Sequence, residues 1–226
     1  MCEFYKIECQ LFIVFLVKKS NLAIQLLMLS QTSKVINKPK FFCIFETLIN
    51  TMSEEKVILV DTNDEAIGLM EKMAAHEQAL LHRAFSVFVL NDKNEVMLQQ
   101  RAAQKYHSPL LWTNTCCSHQ RPGESNILAG KRRLMEEMGF VTDLKELFHF
   151  IYKAPFDNGL TEHELDHVMI GRYNDEPVIN KEEVEDWKWM KIEDIKDDMT
   201  AHPERYTVWF KIIFDEFYHY LESHKI

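Results

Sequence analysis

The chain has 226 residues, 46% of them hydrophobic, enough for one domain with a substantial core. Its apolar runs are shorter than the ~20 residues of a membrane helix, which argues against a membrane protein. The net charge is −9, and because residues 1–51 hold six Lys and three Glu (+3), the remainder carries −12, which argues against nucleic-acid binding and leaves a phosphorylated substrate dependent on a local Lys and Arg cluster or on metal ions.

Residues 1–51 contain no Gly, Asp or Arg and show no helical or strand period. The run Leu11–Val17 is apolar but has no small-residue cleavage site after it, so it does not read as a secretory signal. This segment is expected to be a disordered extension or a start assigned too early, with a domain over 52–226. Cys2, Cys9 and Cys43 lie in it, and only the adjacent Cys116 and Cys117 lie in the body. That is no disulfide framework and suits a reducing cytoplasm.

Val57–Val60 reads as a strand and Asp61–Asp64 as a turn. Ala66–Leu81 reads as helix, with Ile67, Met70 and Met73 as its apolar side and with Lys72 and His76 in it; His82 follows. Phe85–Leu90 is rich in aromatic and β-branched residues and reads as a strand. Asn91–Asn94 is a hairpin turn, and Glu95–Arg101 the returning strand.

Trp112–Phe140 is a loop feeding a helix. Ser125 can cap the helix, because its hydroxyl accepts from a free N–H of the first turn. Gly139 stands where a C-terminal glycine ends it. Ile127, Leu134 and Met138 share one face, with Leu128 and Met135 beside them, and that face should be core. Arg133 and Glu137 are four apart and share another side; spacing alone leaves a plain surface ion pair open.

Glu146–Lys153 and Glu164–Tyr173 read as strands around a turn at Asp157–Gly159. Glu162 and Glu164 are two apart, so in an extended segment both carboxylates face one way; two exposed acids on a hairpin is the plainer reading. Pro177–Glu185 is a polar connection and Trp187–Met190 a last short strand. Ile192–Met199 and Tyr206–His224 read as helices, the second apolar at Phe210, Ile213, Phe214, Phe217 and Leu221. A mixed sheet flanked by helices on both faces fits this order, an α/β (α+β) fold.

The segment ending at Gly139 resembles the Nudix box, Gly-x5-Glu-x7-Arg-Glu-U-x-Glu-Glu-x-Gly-U, where U is bulky and aliphatic. Glu124, Arg132, Leu134, Glu136, Glu137 and Gly139 match. Ser118 replaces the first Gly, and Arg133 replaces the Glu that helps bind metal in the hydrolases, which argues against hydrolysis. Asn114–His119, Gly123–Asn126, the Leu81–Asn91 stretch and Met97–Ala102 resemble the type I isopentenyl-diphosphate isomerases. The resemblance runs from about Lys72 to Trp209.

That resemblance implies a Nudix-like fold and conversion of isopentenyl diphosphate to dimethylallyl diphosphate in isoprenoid biosynthesis. It implies a divalent metal, Mn2+, Zn2+ or Fe, on His76, His82, His119, Glu162 and Glu164, a set too rich in nitrogen for a dedicated Mg site. It places Cys117 and Glu164 at the two ends of the proton transfer, with Tyr152 bonded to Glu164 and Trp209 facing the carbocation. Trp209 is equally open to a packing role. Lys72, Arg101, Lys105 and Arg133 would hold the diphosphate, with Mg2+ on Glu137 and the Cys117 carbonyl; Arg101 and Lys105 alone would pass for solvated charges. Cys116 is expected to pack. The expected partner is the small substrate alone, without nucleic acid or membrane, in a cytoplasmic monomer or weak dimer. The competing readings are a Nudix pyrophosphohydrolase acting on a nucleoside diphosphate derivative, a noncatalytic binding module, and a redox role for Cys116-Cys117.

Overall fold

A computed structural model of the chain describes residues 55–156 and 158–224, and the expectations for residues 1–51 lie outside them. In chain order the elements are strands β1 (Lys56–Val60) and β2 (Ala66–Glu71), helix α1 (Lys72–Glu77), and strands β3 (His82–Leu90), β4 (Glu95–Arg101), β5 (Trp112–Thr113) and β6 (Cys116–Ser118). Helix α2 (Asn126–Met138), strands β7 (Leu144–Pro155), β8 (Thr161–Arg172) and β9 (Val184–Lys191), and helices α3 (Ile192–Ala201) and α4 (Val208–His224) follow. No helix among the described residues is long and apolar enough to cross a membrane.

The nine strands form one mixed sheet. β3 and β8 run parallel in register from His82↔Glu164 to Leu90↔Arg172. β3 also pairs antiparallel with β6, and β4 with β9. β3 is buried along nearly all its length because both faces of the sheet are covered. Phe85, Val87 and Val89 pack with Ala129, Leu134 and Met138 of α2. Phe88 and Leu90 pack with Phe210, Ile213, Phe214, Phe217 and Leu221 of α4. The sheet between helices is therefore the one the sequence predicts.

Helix α2 begins and ends as its residues dictate. The Ser125 hydroxyl accepts from the Leu128 N–H at 3.3 Å. Gly139 adopts φ 75°, and a Cβ there would lie 2.3 Å from the Val178 carbonyl oxygen, so glycine is required twice over. Leu128 and Met135, however, are 60% and 51% exposed. They lie on the flank of the stripe, and the sheet covers only the narrower face of Leu134 and Met138.

Two further expectations are corrected, while the hairpin turn at Asn91–Asn94 and its returning strand Glu95–Arg101 are present as expected. Ala66–Leu81 is not one helix: Ala66–Glu71 is a strand paired antiparallel with β1, and only Lys72–Glu77 is helical. Ile67 is 67% exposed, so the helical spacing of Ile67, Met70 and Met73 marks no buried stripe, and hydrogen bonding to β1 decides the backbone. The β3–β4 hairpin closes at Leu90↔Val96, after which the strands part and take other partners. β8 starts at Thr161 rather than Glu164, which places Glu162 inside the strand.

Candidate active site

Four elements meet at one end of the sheet. α1 brings His76, the start of β3 brings His82, the residue after β6 is His119, and β8 brings Glu164. All four are buried. Their ring centroids lie 5.0 Å (His76–His82), 5.8 Å (His76–His119) and 5.1 Å (His82–His119) apart. Glu164 Oε1 is 3.0 Å from His119 Nε2 and 3.6 Å from His82 Nε2. One ligand atom from each residue lies within 4.8 Å of the others.

The protonation of these rings suits a metal. His82 Nδ1 lies 2.8 Å from the Leu80 carbonyl oxygen. A carbonyl only accepts, so Nδ1 carries a proton, and Nε2 is the nitrogen turned toward the cluster. Burial, then the neighbouring His119 and His82, hold the His76 imidazole down to about 3. Burial likewise holds His119 down to about 4. Nε2 of His76 and His82 and Nδ1 of His119 are buried with no hydrogen-bond partner. Buried ring nitrogens without partners cost stability unless something accepts their lone pairs. Three imidazoles and a carboxylate are a donor set for a divalent transition ion.

Glu162 stands outside this group. Its carboxyl meets the Tyr152 hydroxyl at 3.1 Å and lies 3.7 Å from His107 Nε2. Tyr152 also donates to Glu164 at 2.6 Å. Burial, then the Glu164 charge, pushes the Glu162 carboxyl well above the usual range. For Glu164 burial acts upward, but the hydrogen bond to His119 and the His82 ring beside it outweigh burial and hold the carboxyl low. The surroundings thus push the two like carboxyls in opposite directions.

A cavity open to solvent joins these groups to the remaining candidates. Lys72, Arg101, Lys105 and Arg133 all line it, as do Cys117, Glu137 and Trp209. Lys72 pairs with Glu55 at 3.2 Å, and Lys105 with Glu183. The Arg101 guanidinium sits 5.0 Å from the Trp209 ring centroid. Arg133 bonds Glu137 at 2.5 Å and Glu136 at 2.9 Å, and Gln99 holds the other Glu137 oxygen at 3.0 Å. Glu137 is 3% exposed, so this is not an ion pair on a solvated face. Trp209 lines the cavity and also packs in the α4 core.

Cys117 lies beside Ser86, its register partner on β3. Burial pushes its thiol up to about 12, so the sulfur is held protonated. Cys116 points into the α2 core and is fully buried, in agreement with a packing role.

The cavity also holds residues that the sequence reading passed over. Asp166 follows Glu162 and Glu164 at the same strand period, accepts from the Ser86 hydroxyl at 2.8 Å, and keeps Oδ1 buried and unpartnered. Extending the alternation by one step finds it. His107 lies edge-on to Trp209 at 5.6 Å and stacks on Phe156 at 5.0 Å. It sits in an irregular loop, where no period marks it.

The family model of the NUDIX domain matches residues 80–210. Isopentenyl-diphosphate Delta-isomerase 2 of Aromatoleum aromaticum is 48% identical over 162 residues, 72% of this chain and 86% of that protein. Isopentenyl-diphosphate Delta-isomerase of Serratia proteamaculans is 47% identical over 160 residues, 71% of this chain and 89% of that protein. Among solved structures, one from Deinococcus radiodurans superposes with a TM-score of 0.55 at 19% identity, covering 66% of this chain and 90% of the other. A MutT protein from Methanosarcina mazei gives 0.52 at 15% identity, covering 65% and 96%. The two structures support the fold.

Proposed function

The chain belongs to the isopentenyl-diphosphate Delta-isomerases of the NUDIX fold, and on that premise we propose that it moves the double bond of isopentenyl diphosphate to give dimethylallyl diphosphate in the cavity between His119, Cys117 and Trp209. The observation that carries the reading is one cavity that gathers a His/Glu ligand cluster, a protonated Cys117 and four cations.

The reaction adds a proton to the terminal alkene carbon and removes one from the carbon next to the ester oxygen's carbon. Cys117 and Glu164 serve as the two proton carriers. Tyr152 bridges Glu164 to Glu162, a second buried carboxyl. The Trp209 face borders the cavity and can stabilise positive charge by roughly 0.5–2 kcal/mol, more when water is excluded. Lys72, Arg101, Lys105 and Arg133 hold the diphosphate by charge-assisted bonds. Arg133 stands where the hydrolases keep a carboxylate, and a guanidinium there binds phosphate oxygens and cannot activate water.

His76, His82, His119 and Glu164 would hold a Mn2+ or Zn2+ ion, with Glu162 behind them; Glu137 and the Cys117 carbonyl would hold Mg2+ with the diphosphate. Bound there, the ions set the acidity of Glu164 and neutralise phosphate charge. A free thiol at Cys117 suits a reducing compartment, and the reading assigns the enzyme to the cytoplasm. We assign the catalytic domain to residues 52–226.

Proton NMR of isopentenyl diphosphate with the protein and Mg2+ in D2O tests the reading. Dimethylallyl diphosphate carrying deuterium is expected, and Cys117→Ala should abolish it. An unchanged substrate, with nucleoside diphosphate derivatives cleaved instead, overturns it in favour of a hydrolase.

A further inference from the structure

A second group of donors lies on the other face of the sheet. Asp166 lines the cavity, so its neighbour His167 points away from it. His149 of β7 is the register partner of His167, with ring centroids 5.4 Å apart. Glu146 is three residues from His149, a spacing that puts two residues on opposite faces of a regular strand. Here the register shifts between Glu146 and Phe148. The inserted Leu147 makes a bulge, and the bulge turns Glu146 onto the face of His149 and His167.

Glu146 Oε1 lies 2.6 Å from His167 Nδ1. One donor atom from each of Glu146, His149 and His167 lies within 4.8 Å of the other two. Asp64, from the turn between β1 and β2, reaches the far side of the His167 ring. Its Oδ2 is 3.1 Å from His167 Nε2, at an angle short of a hydrogen bond, while its Oδ1 accepts from Arg83 Nε at 2.6 Å. His167 is 4% exposed, and Glu146 and His149 are open to solvent.

We propose that Glu146, His149 and His167 form a second divalent-metal site, for an ion of the zinc type. Two imidazoles and one carboxylate suit Zn2+, Ni2+ or Cu2+ and not Mg2+ or Ca2+, which take oxygen ligands. The exposed side leaves room for water to complete the shell. Asp64 is the outer carboxylate beside the ring: with Nδ1 on the metal, Nε2 lies 3.1 Å from Asp64 Oδ2, close enough for a turn of that carboxyl to complete the bond. The plainer role is a His167 ring held between Glu146 and Asp64. That role gives His149 nothing to do, so His149 separates the two. None of these residues lines the cavity, and the proposal stands apart from the isomerase reading.

The test is equilibrium dialysis of the metal-stripped full chain against zinc, with metal content read at each free concentration. The wild type is expected to bind two equivalents, one in the cavity cluster and one on the hairpin. His149→Ala should weaken the hairpin equivalent by about tenfold or more and leave the cavity equivalent unchanged. With Cu2+ as the probe, the electron spin resonance of the hairpin site should show nitrogen coupling that His149→Ala reduces. A single zinc equivalent in the wild type, or an identical isotherm for His149→Ala, overturns the proposal.

Discussion

The Tyr152 hydroxyl lies 2.6 Å from Glu164 Oε2 and donates to it across two neighbouring strands. Tyr152→Phe removes this donor and keeps the ring in its place. On the proton-transfer reading, kcat should fall by about 10- to 100-fold with KM little changed, because the bond orients a group that moves a proton. Steady-state kinetics check this, and an unaltered kcat would show that the hydroxyl only satisfies buried acids.

Arg133→Ala should act on two properties at once. The loss of a charge-assisted contact to the diphosphate should raise KM by about tenfold or more. Glu137, 3% exposed, loses its guanidinium partner, and unfolding in urea should show a loss of about 1–3 kcal/mol. Arg133→Lys should recover part of the KM and less of the stability, since an ammonium lacks the planar fork. Wild-type KM in the alanine variant would remove Arg133 from the phosphate site.

Treatment with a chelator should abolish turnover and lower the melting temperature. One buried ring nitrogen in each of His76, His82 and His119 has no hydrogen-bond partner, so a metal would supply interactions that the protein lacks. His82→Asn should show the lower melting temperature without chelator. A melting curve indifferent to both treatments would mean the cluster is not a metal site.

Acid should weaken the fold through His107. Burial, with Arg101 and Lys72 behind it, holds this imidazole down to about 3 from its ordinary 6.5. A depressed pKa means the unfolded chain takes up the proton first. The stabilisation is present above pH 6.5 and is lost as the pH falls toward 3. His76 and His119 act in the same direction. His107→Gln should therefore lessen the fall in unfolding free energy across that window, as read from urea titrations at successive pH values. An unchanged slope would show that His107 is protonated in the folded protein.

Legibility in the sequence followed locality. Helix α2 could be read because Ser125 and Gly139 act within a turn of their own helix. β3 could be read because it is apolar on both faces, a pattern that a sheet between helices demands. The segment 66–81 misled because the partner that makes Ala66–Glu71 a strand is β1, and periodicity says nothing of partners. At the site, the spacing of Glu162 and Glu164 gave their shared direction but not their division of labour. Tyr152 and the ends of three other elements decide that. Ligands drawn from four segments left no spacing to recognise, and the family motifs alone joined them. His107 carried no signal because its loop has no repeat.

The pairing of β3 with β8 also bears on how the protein is made. His82 and Glu164 are the first rung of that parallel ladder, 82 residues apart in sequence. Contacts of such separation close slowly, because a long loop must be immobilised before any of them forms. The ion cluster therefore has no precursor in the nascent chain: until both strands have been synthesised and have met, His82 faces no carboxylate. Metal uptake should follow the late phase of refolding, and its time course would report the closure of this ladder.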